Sequence, residues 1–302
     1  MVSFNQRSLK SKAHSLLLYL FDTEKSFDDF RLGSESKNEL FELDTNQPVN
    51  GKLVITAHIF YREWLDIFVA KLPQFKELGA ILVTTPVEEF KEILEEHFAK
   101  QGIKGHIALS QNRGRNFGPL LVEFSKEILQ YDYFIHLHSK RSAHSKPFRG
   151  ELWQERNTQF LLDPSNIRDF FKAFNQDINL GLIYADCSDL LRTINYRWGT
   201  SRRTSQNFFG KQRGFEGISW SGKIYFPAGG MFAARVSAVK ELLECEWNYS
   251  DFPGEAGQLD GTLQHGVERM IGALVSSKGL RHLVYQEKTH SYTLSPLRSK
   301  SR

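Results

Sequence analysis

Strands and helices alternate regularly through the first half of this sequence, and that alternation restricts the fold more than any other feature. Short aliphatic and β-branched runs predict strands, and the segments between them carry apolar residues at helical spacing. The predicted strands are 52–59, 80–84, 106–109 and 131–138, and the predicted helices are 61–72, 87–100 and 119–130. Such alternation builds a parallel sheet through right-handed crossovers. We therefore expect an α/β protein with a Rossmann-type, mostly parallel sheet flanked by helices.

The second half of the sequence is less regular. A strand is predicted at 180–186, a strand-like segment at 224–235 and a long helix at 258–276. Between the first two, residues 188–222 mix Arg, Gly, Ser and Asn with aromatic residues, which indicates a long functional loop. No repeat or linker divides the sequence. We expect one domain over 51–290, an N-terminal extension of unclear structure over 1–50 and a basic tail over 291–302.

Composition excludes several classes of protein. With 40% hydrophobic and 25% charged residues the chain is an ordinary globular protein, and its two cysteines form no disulfide framework. The longest apolar runs are too short to span a bilayer, and residues 15–21 do not have the pattern expected of a signal peptide. A net charge of +4 is too small to argue for nucleic acid. We expect a cytoplasmic protein whose basic residues within 192–213 and in the tail are either solvated surface or weakly attracted to anionic lipid at the inner face of the cytoplasmic membrane.

The predicted strand at 131–138 ends in polar residues at alternate positions, namely His136, His138 and, just beyond, Lys140. Residues two apart on a strand share a face, and open α/β sheets bind ligands outside the carboxyl ends of their strands. Two imidazoles and an ammonium suit a divalent metal ion, a diphosphate or both, and imidazole ligates Mn²⁺ more readily than Mg²⁺. The alternative is a strand that merely ends in polar loop residues.

A second candidate joins the third predicted strand to the helix that follows it, and contains Arg113, Arg115 and Asn116 among glycines. Glycine lets a ligand approach the backbone closely, and arginine presents a planar fork to phosphate or carboxylate. The helix N-terminus adds partial positive charge. The loop is therefore either an anion site or an ordinary turn with exposed arginines.

Two further candidates lie in the second half. Gly229 and Gly230 interrupt an apolar segment, which indicates either a bulge or a wall against which substrate lies. Asp260 stands near a helix start, where a carboxylate is favoured electrostatically, or else serves as a general base or metal ligand, with Glu255 as second choice. His265 lies five residues further along, an interval that does not place both side chains squarely on one helix face.

Taken together and in this order, four segments resemble the rhamnan synthesis protein F family, bacterial glycosyltransferases of surface-polysaccharide assembly. The segments are Asn112–Pro119, Tyr131–His144, Phe226–Arg235 and Gly257–Arg269. The resemblance implies a GT-A-like α/β fold and transfer of a hexose, L-rhamnose by the family name, from a dTDP- or UDP-sugar. The implied acceptor is a growing surface polysaccharide, a lipopolysaccharide glycan or a lipid-linked glycan.

The resemblance also implies roles for individual residues. GT-A-like enzymes hold a divalent metal and the donor diphosphate with an Asp-x-Asp, but here His136-Leu137-His138 stands in the comparable place. We therefore expect either a softer ion, Mn²⁺ rather than Mg²⁺, or neutralisation by Lys140 without metal. The predicted donor-binding residues are Arg113, Arg115, Asn116, His136, Lys140, Gly229 and Gly230, and the predicted metal ligands are His138 and His265.

For the reaction we expect inversion, with Asp260 or, as second choice, Glu255 taking the proton of the acceptor hydroxyl. The aromatic residues within 192–220 are expected to hold the acceptor glycan. Two other classes stay open at this point. One is a nucleic-acid-binding protein that stacks bases on the Arg- and aromatic-rich segment, and the other is a His/Asp metal-dependent phosphoester hydrolase.

Overall fold

A computed structural model describes residues 39–139, 157–186, 196–286 and 290–294. Its described strands form a single nine-stranded mixed sheet with helices on both faces, which confirms the predicted α/β class with a Rossmann-like sheet. The strands are β1 Glu39–Phe41, β2 Leu53–His58, β3 Ala80–Thr85, β4 Gly105–Leu109, β5 Tyr133–His138, β6 Leu180–Ala185, β7 Phe232–Arg235, β8 Arg281–Gln286 and β9 Ser291–Leu294. The α-helices are α1 Arg62–Lys76, α2 Glu88–Gln101, α3 Phe117–Ile128, α4 Pro164–Gln176, α5 Arg202–Phe209, α6 Lys240–Glu244 and α7 Leu263–Ser277.

The sheet order is β1-β9-β8-β6-β7-β5-β2-β3-β4. The chain runs outward from β2 through β3 to β4 and then returns to β5 on the other side of β2, with all these neighbours parallel. Strand order therefore reverses between β2 and β5, where the register pairs His58 with His138. In open α/β sheets such a reversal opens a crevice at the carboxyl ends of the strands.

Strand β7 runs antiparallel to both of its neighbours, β5 and β6. Because its direction is reversed, its amino end lies at the edge where β5 and β6 have their carboxyl ends. The predicted strand at 224–235 is correct only for its last four residues. Gly229 and Gly230 have φ values of +98° and +80°, a left-handed conformation that cannot continue a strand, so they form a turn that leads into β7.

The sheet separates two hydrophobic cores. Helices α1, α2 and α4 cover one face, and α3, α5, α6 and α7 cover the other. Strand β5 is buried on both faces, with Tyr133, Ile135 and Leu137 in the first core and Phe134 in the second. Sequences buried on both faces read as continuous apolar runs, and this explains the strand signal of β5 and β2.

The aromatic residues predicted to hold an acceptor belong to the second core instead. Tyr196, Trp198 and Phe209 are buried there, and Phe208 and Trp220 pack against it. Aromatic rings of this size contribute more by filling a core than by staying in water, so Tyr196, Trp198 and Phe209 serve the core, whereas Phe208 and Trp220 remain partly exposed.

The sheet extends past both ends of the predicted domain at 51–290. Strand β1 lies within the predicted extension and β9 within the predicted tail, and the two pair with each other. Within the described ranges, no helix is both long and apolar enough to cross a membrane.

Close packing of α7 gives a test of this fold. A Cβ added to Gly272 would lie 1.8 Å from the carbonyl oxygen of Tyr225, so the helix can approach that segment only without a side chain. Although alanine favours helix, we expect Gly272→Ala to lower the free energy of unfolding by about 1–3 kcal/mol through overpacking.

Urea denaturation monitored by circular dichroism measures this change. Gly254→Ala is the matched control, because a Cβ there would meet no atom within 4 Å. A Gly272→Ala variant at least as stable as the wild type would contradict the described contact between α7 and Tyr225.

Candidate functional site

Chain topology brings the four candidate segments to the carboxyl edge of the sheet. Strand β5 ends there with His138, and α3, which follows the carboxyl end of β4, begins there. The antiparallel β7 delivers the glycine turn to the same edge, and α7 begins there because it leads back to β8, which is parallel to β6. Side-chain and backbone contacts join these segments to one another.

Histidines cluster at the carboxyl ends of β2 and β5. His58 and His138 are register partners, and the rings of His136 and His138 lie 6.1 Å apart on one face of β5, as the alternation predicted. The sequence interpretation did not single out His58. Its signal was present, since it ends a fully buried strand that neighbours β5.

His136 is held by hydrogen bonds at both ring nitrogens. The hydroxyl of Thr56 donates to the carbonyl oxygen of Ile135 at 2.9 Å, so it accepts from Nδ1–H of His136, also at 2.9 Å. That tautomer leaves a lone pair on Nε2, to which the side-chain amide of Asn116 donates at 3.1 Å. Burial, reinforced by His138 and then His58, holds the pKa of His136 well below its usual 6.5, so the ring is neutral.

The Asn116–His136 contact fixes the start of α3. Asn116 is the N-cap residue of that helix, yet its side chain makes no capping bond to the helix and turns to the histidine instead. A Cβ on Gly230 would lie 2.8 Å from Nδ2 of Asn116, so the glycine turn closes over this pair. Three predicted donor-binding residues thus contact one another.

The backbone of Gly229 joins strand β5, in the first half of the chain, to helix α7, in the second half. Nε2–H of His138 donates to the carbonyl oxygen of Gly229 at 2.6 Å, and the N–H of Gly229 donates to Oε1 of Glu268 at 2.5 Å. Glu268 lies on α7, within the fourth of the segments that carry the resemblance, but the sequence interpretation assigned it no role of its own. The structure alone shows that it reaches the glycine turn.

Arg115 ties the loop before α3 to the segment before α7. Its guanidinium lies 3.1 Å from Nε2 of His265 and 3.6 Å from the carboxylate of Glu255, and it also donates to the carbonyl oxygen of Gln258. Its own N–H donates to Glu255 at 3.2 Å, which helps hold a left-handed φ of +52°. A non-glycine residue in that conformation stores about 1–3 kcal/mol of strain, which is typical of functional sites.

Arg113 differs from Arg115 in its partners. Its backbone pairs with Gly254, but its Nε is buried with no hydrogen-bond partner, and no described carboxylate lies within ion-pair distance of its guanidinium. An unpartnered buried donor is costly, so a ligand anion there would be stabilised. Lys140, the remaining predicted cation, lies outside the described residues.

Asp260 anchors the segment that precedes α5. Its Oδ2 accepts hydrogen bonds from the N–H and hydroxyl of Thr200 at 3.1 and 2.8 Å, and its Oδ1 accepts from the hydroxyl of Ser201 at 2.5 Å. Arg269 lies 3.2 Å from Oδ1. Burial favours the protonated acid, but the Arg269 charge and the hydroxyl hydrogen bonds outweigh it, so the pKa of Asp260 lies below its usual 3.8.

The predicted metal site finds little support in these side chains. Nε2 of His138 carries a hydrogen toward Gly229, and His265 contacts Arg115 with Nε2 and the hydroxyl of Thr262 with Nδ1 at 2.6 Å. In the parts of the chain that the structure describes, no three His, Cys, Asp or Glu side chains are grouped so that they could hold an ion. The described residues therefore do not fit a resident divalent metal ion.

These observations define a mixed α/β protein whose polar groups gather at the carboxyl edge of a Rossmann-like sheet. The chain belongs to the rhamnan synthesis protein F family, whose family model matches residues 32–280. The family predicted from the four segments is thereby confirmed, and membership associates the chain with polysaccharide synthesis.

Two curated relatives, from two strains of Xanthomonas campestris pv. campestris, are both described as uncharacterized protein WxcX. Each is 27% identical over 243 residues, which make up 80% of this chain and 34% of the relative. The chain therefore spans about a third of the length of these relatives.

The buried histidines predict how stability depends on pH. Burial, with a smaller contribution from His138, lowers the pKa of His58 from 6.5 to about 3. Between these values the unfolded chain binds a proton that the folded chain does not, so the free energy of unfolding falls as the pH is lowered from 6.5 toward 3. We expect His58→Gln to reduce that slope by up to about 1.4 kcal/mol per pH unit, the value for one proton.

Urea denaturation at a series of pH values measures the slope. His106→Gln, at an exposed position on β4, is the control and should keep most of it. Equal slopes for His58→Gln and wild type would mean that His58 is not held neutral.

Proposed function

We propose that this chain transfers a sugar, L-rhamnose by the family name, from a dTDP- or UDP-sugar to a growing surface polysaccharide or lipopolysaccharide glycan. The observation that supports this most is that the candidate segments meet at the point where strand order reverses. The residues in contact there are Arg115, Asn116, His138, Gly229 and Glu268. Nucleotide ligands of open α/β sheets bind at such points. Family membership supports the same choice.

On the donor side, we propose that Arg113 binds the diphosphate. It is the arginine of its loop that no described carboxylate neutralises, and the α3 N-terminus beside it adds partial positive charge. Arg115 has protein partners on three sides and positions the loop instead. Lys140 stays a proposed second cation, and His136 acts through Asn116, which it orients.

The reaction requires a base that removes the proton of the acceptor hydroxyl as its oxygen attacks the anomeric carbon, while the nucleoside diphosphate leaves from the opposite side. A base works best when its pKa lies near the operating pH. Asp260, the base predicted from the sequence, has both oxygens engaged and a pKa below 3.8. Glu255 is paired with Arg115.

We therefore propose Glu268 as the base and Asp260 as an anchor of the preceding segment. One oxygen of Glu268 is fixed by the N–H of Gly229, and no described group donates to the other. No described cation lies within ion-pair distance of Glu268, in contrast to Asp260 and Glu255. Its place beside the glycine turn puts it next to the proposed donor site.

The two other classes considered lose support from the same geometry. Base stacking needs exposed rings, and the aromatic side chains of the Arg-rich segment are buried or packed against the core. A metal-dependent hydrolase needs several converging ligands, which the described residues do not provide. For location, we propose the cytoplasm, with an acceptor presented at the inner face of the membrane.

Binding of the donor nucleotide tests the proposal. We expect dTDP or UDP to bind the full-length protein in buffer with EDTA as well as with Mn²⁺. Arg113→Gln should weaken that binding about tenfold or more, since a hydrogen bond to a charged group contributes about 1.5–3 kcal/mol. Isothermal titration calorimetry gives both affinities.

Arg168→Gln serves as control, because Arg168 is an exposed cation on α4, across the sheet from the site. If neither nucleotide bound the wild type at millimolar concentration, the proposed function would be wrong. Binding that only Mn²⁺ restored would instead place a metal at the donor diphosphate.

Glu268→Gln tests the base. The amide keeps an oxygen for the Gly229 N–H but cannot accept a proton, so we expect turnover to fall about 10²–10⁴-fold with donor affinity unchanged. Asp260→Asn should instead lower the free energy of unfolding by about 1.5–3 kcal/mol, because it weakens the hydrogen bonds and ion pair that the carboxylate makes.

Release of nucleoside diphosphate, measured by chromatography, and urea denaturation separate the two effects. The isosteric pair of variants gives a matched comparison of two site carboxylates. If Asp260→Asn lost turnover at normal stability while Glu268→Gln did not, the base predicted from the sequence would be the correct one.

A further inference from the structure

Residues 196–223 form a basic segment within the described part of the chain. That segment contains one carboxylate, Glu216, and six basic side chains: Arg197, Arg202, Arg203, Lys211, Arg213 and Lys223. Its net charge is therefore +5, whereas the whole chain carries +4, so all remaining residues together sum to −1. Two other stretches of the sequence are also basic: residues 140–149 contain four basic side chains and residues 298–302 contain three, neither with a carboxylate, and both lie outside the described residues.

The segment turns its rings inward and its cations outward. Trp198, Phe209 and Phe215 are buried in the second core. Five cations are exposed to solvent, and within the described part of the chain none has a carboxylate at ion-pair distance; these five, the basic face, are Arg197, Arg202, Arg203, Lys211 and Arg213. The outer surface of the segment therefore presents cations without close ion pairs, and Arg213 interacts with the Glu216 carboxylate only at longer range.

Stability of the fold does not account for this arrangement. Arg202 and Arg203 are the first two residues of α5, where the helix dipole repels cations. Surface charges that oppose the dipole weaken a helix, and salt bridges that would compensate them are missing among the described residues. An external anionic partner would stabilise those of the five cations that it contacts.

We propose that the basic face docks on an anionic phospholipid bilayer. A bilayer surface presents many headgroup charges over a wide area, which matches exposed cations that line no described pocket. Single-stranded nucleic acid would need exposed rings for stacking, and the rings here face the core. Asp260 ties Thr200 and Ser201, within the same segment, to the candidate site, so docking would hold that site near the membrane.

The docking itself does not depend on the proposed glycosyl transfer, but its purpose does: a site close to the bilayer can reach a lipid-linked acceptor. Vesicle binding needs neither donor nor turnover. An inactive protein that binds vesicles would overturn the proposed function alone, and an active protein that ignores them would overturn this inference alone.

The test is sedimentation of the full-length protein with vesicles of phosphatidylcholine, alone or with about one third phosphatidylglycerol. We expect partition onto the anionic vesicles only, and its loss in high salt, which screens exposed charges beyond a few ångströms. Replacing Arg202, Arg203, Lys211 and Arg213 together by glutamine should lower the partition coefficient at least about 25-fold. This figure assumes that two of the four side chains contact the bilayer and that each raises the partition coefficient about fivefold.

The matched control removes the same charge elsewhere. It replaces four exposed cations outside the basic face by glutamine: Lys100, Lys104, Lys126 and Arg168. Both variants are compared with wild type by thermal melting, so that a misfolded protein is recognised. Equal losses in both variants, or wild-type binding to neutral vesicles, would overturn the proposal. Tighter binding to a single-stranded oligonucleotide than to the anionic vesicles would overturn it in favour of a nucleic-acid surface.

Discussion

The two hydrogen bonds made by Gly229 hold the candidate site together. Its carbonyl oxygen accepts from His138 on β5, and its N–H donates to Glu268 on α7. The two halves of the chain differ in the regularity of their sequence patterns, yet at this point they share a backbone turn. One of the two partners, Glu268, is a carboxylate, and a carboxylate accepts a stronger hydrogen bond than a neutral oxygen does.

The sequence predicted this arrangement unevenly, for physical reasons. Strand and helix periods revealed β2 to β5 and α1 to α3, because those elements have continuous apolar patterns that local spacing encodes. The turn at Gly229 and Gly230 was taken as part of a strand, since a left-handed φ leaves no trace in hydrophobicity. The aromatic residues near α5 read as a binding surface, because composition does not say which way a ring faces.

The site residues show the same division. Arg115, Asn116 and His136 lie in dense polar motifs, and the sequence selected them although their partners were invisible to it. Glu268 and His58 were not selected: His58 is the one polar residue at the end of an apolar strand, and Glu268 is one carboxylate within a segment chosen for Asp260 and His265. The strand register places His58 beside His138, and the position of α7 places Glu268 beside Gly229. Both depend on contacts between residues far apart in sequence.

The anchor at Asp260 has a thermodynamic consequence. Its carboxylate joins the segment before α7 to Thr200 and Ser201, at the start of the segment that carries the basic face. Two binding events that both act on one such joint are linked, and linkage is reciprocal. Under the proposed function, a factor by which membrane binding changes donor affinity through this joint equals the factor by which the donor changes membrane affinity, so donor-bound and donor-free protein would bind the bilayer with different affinities.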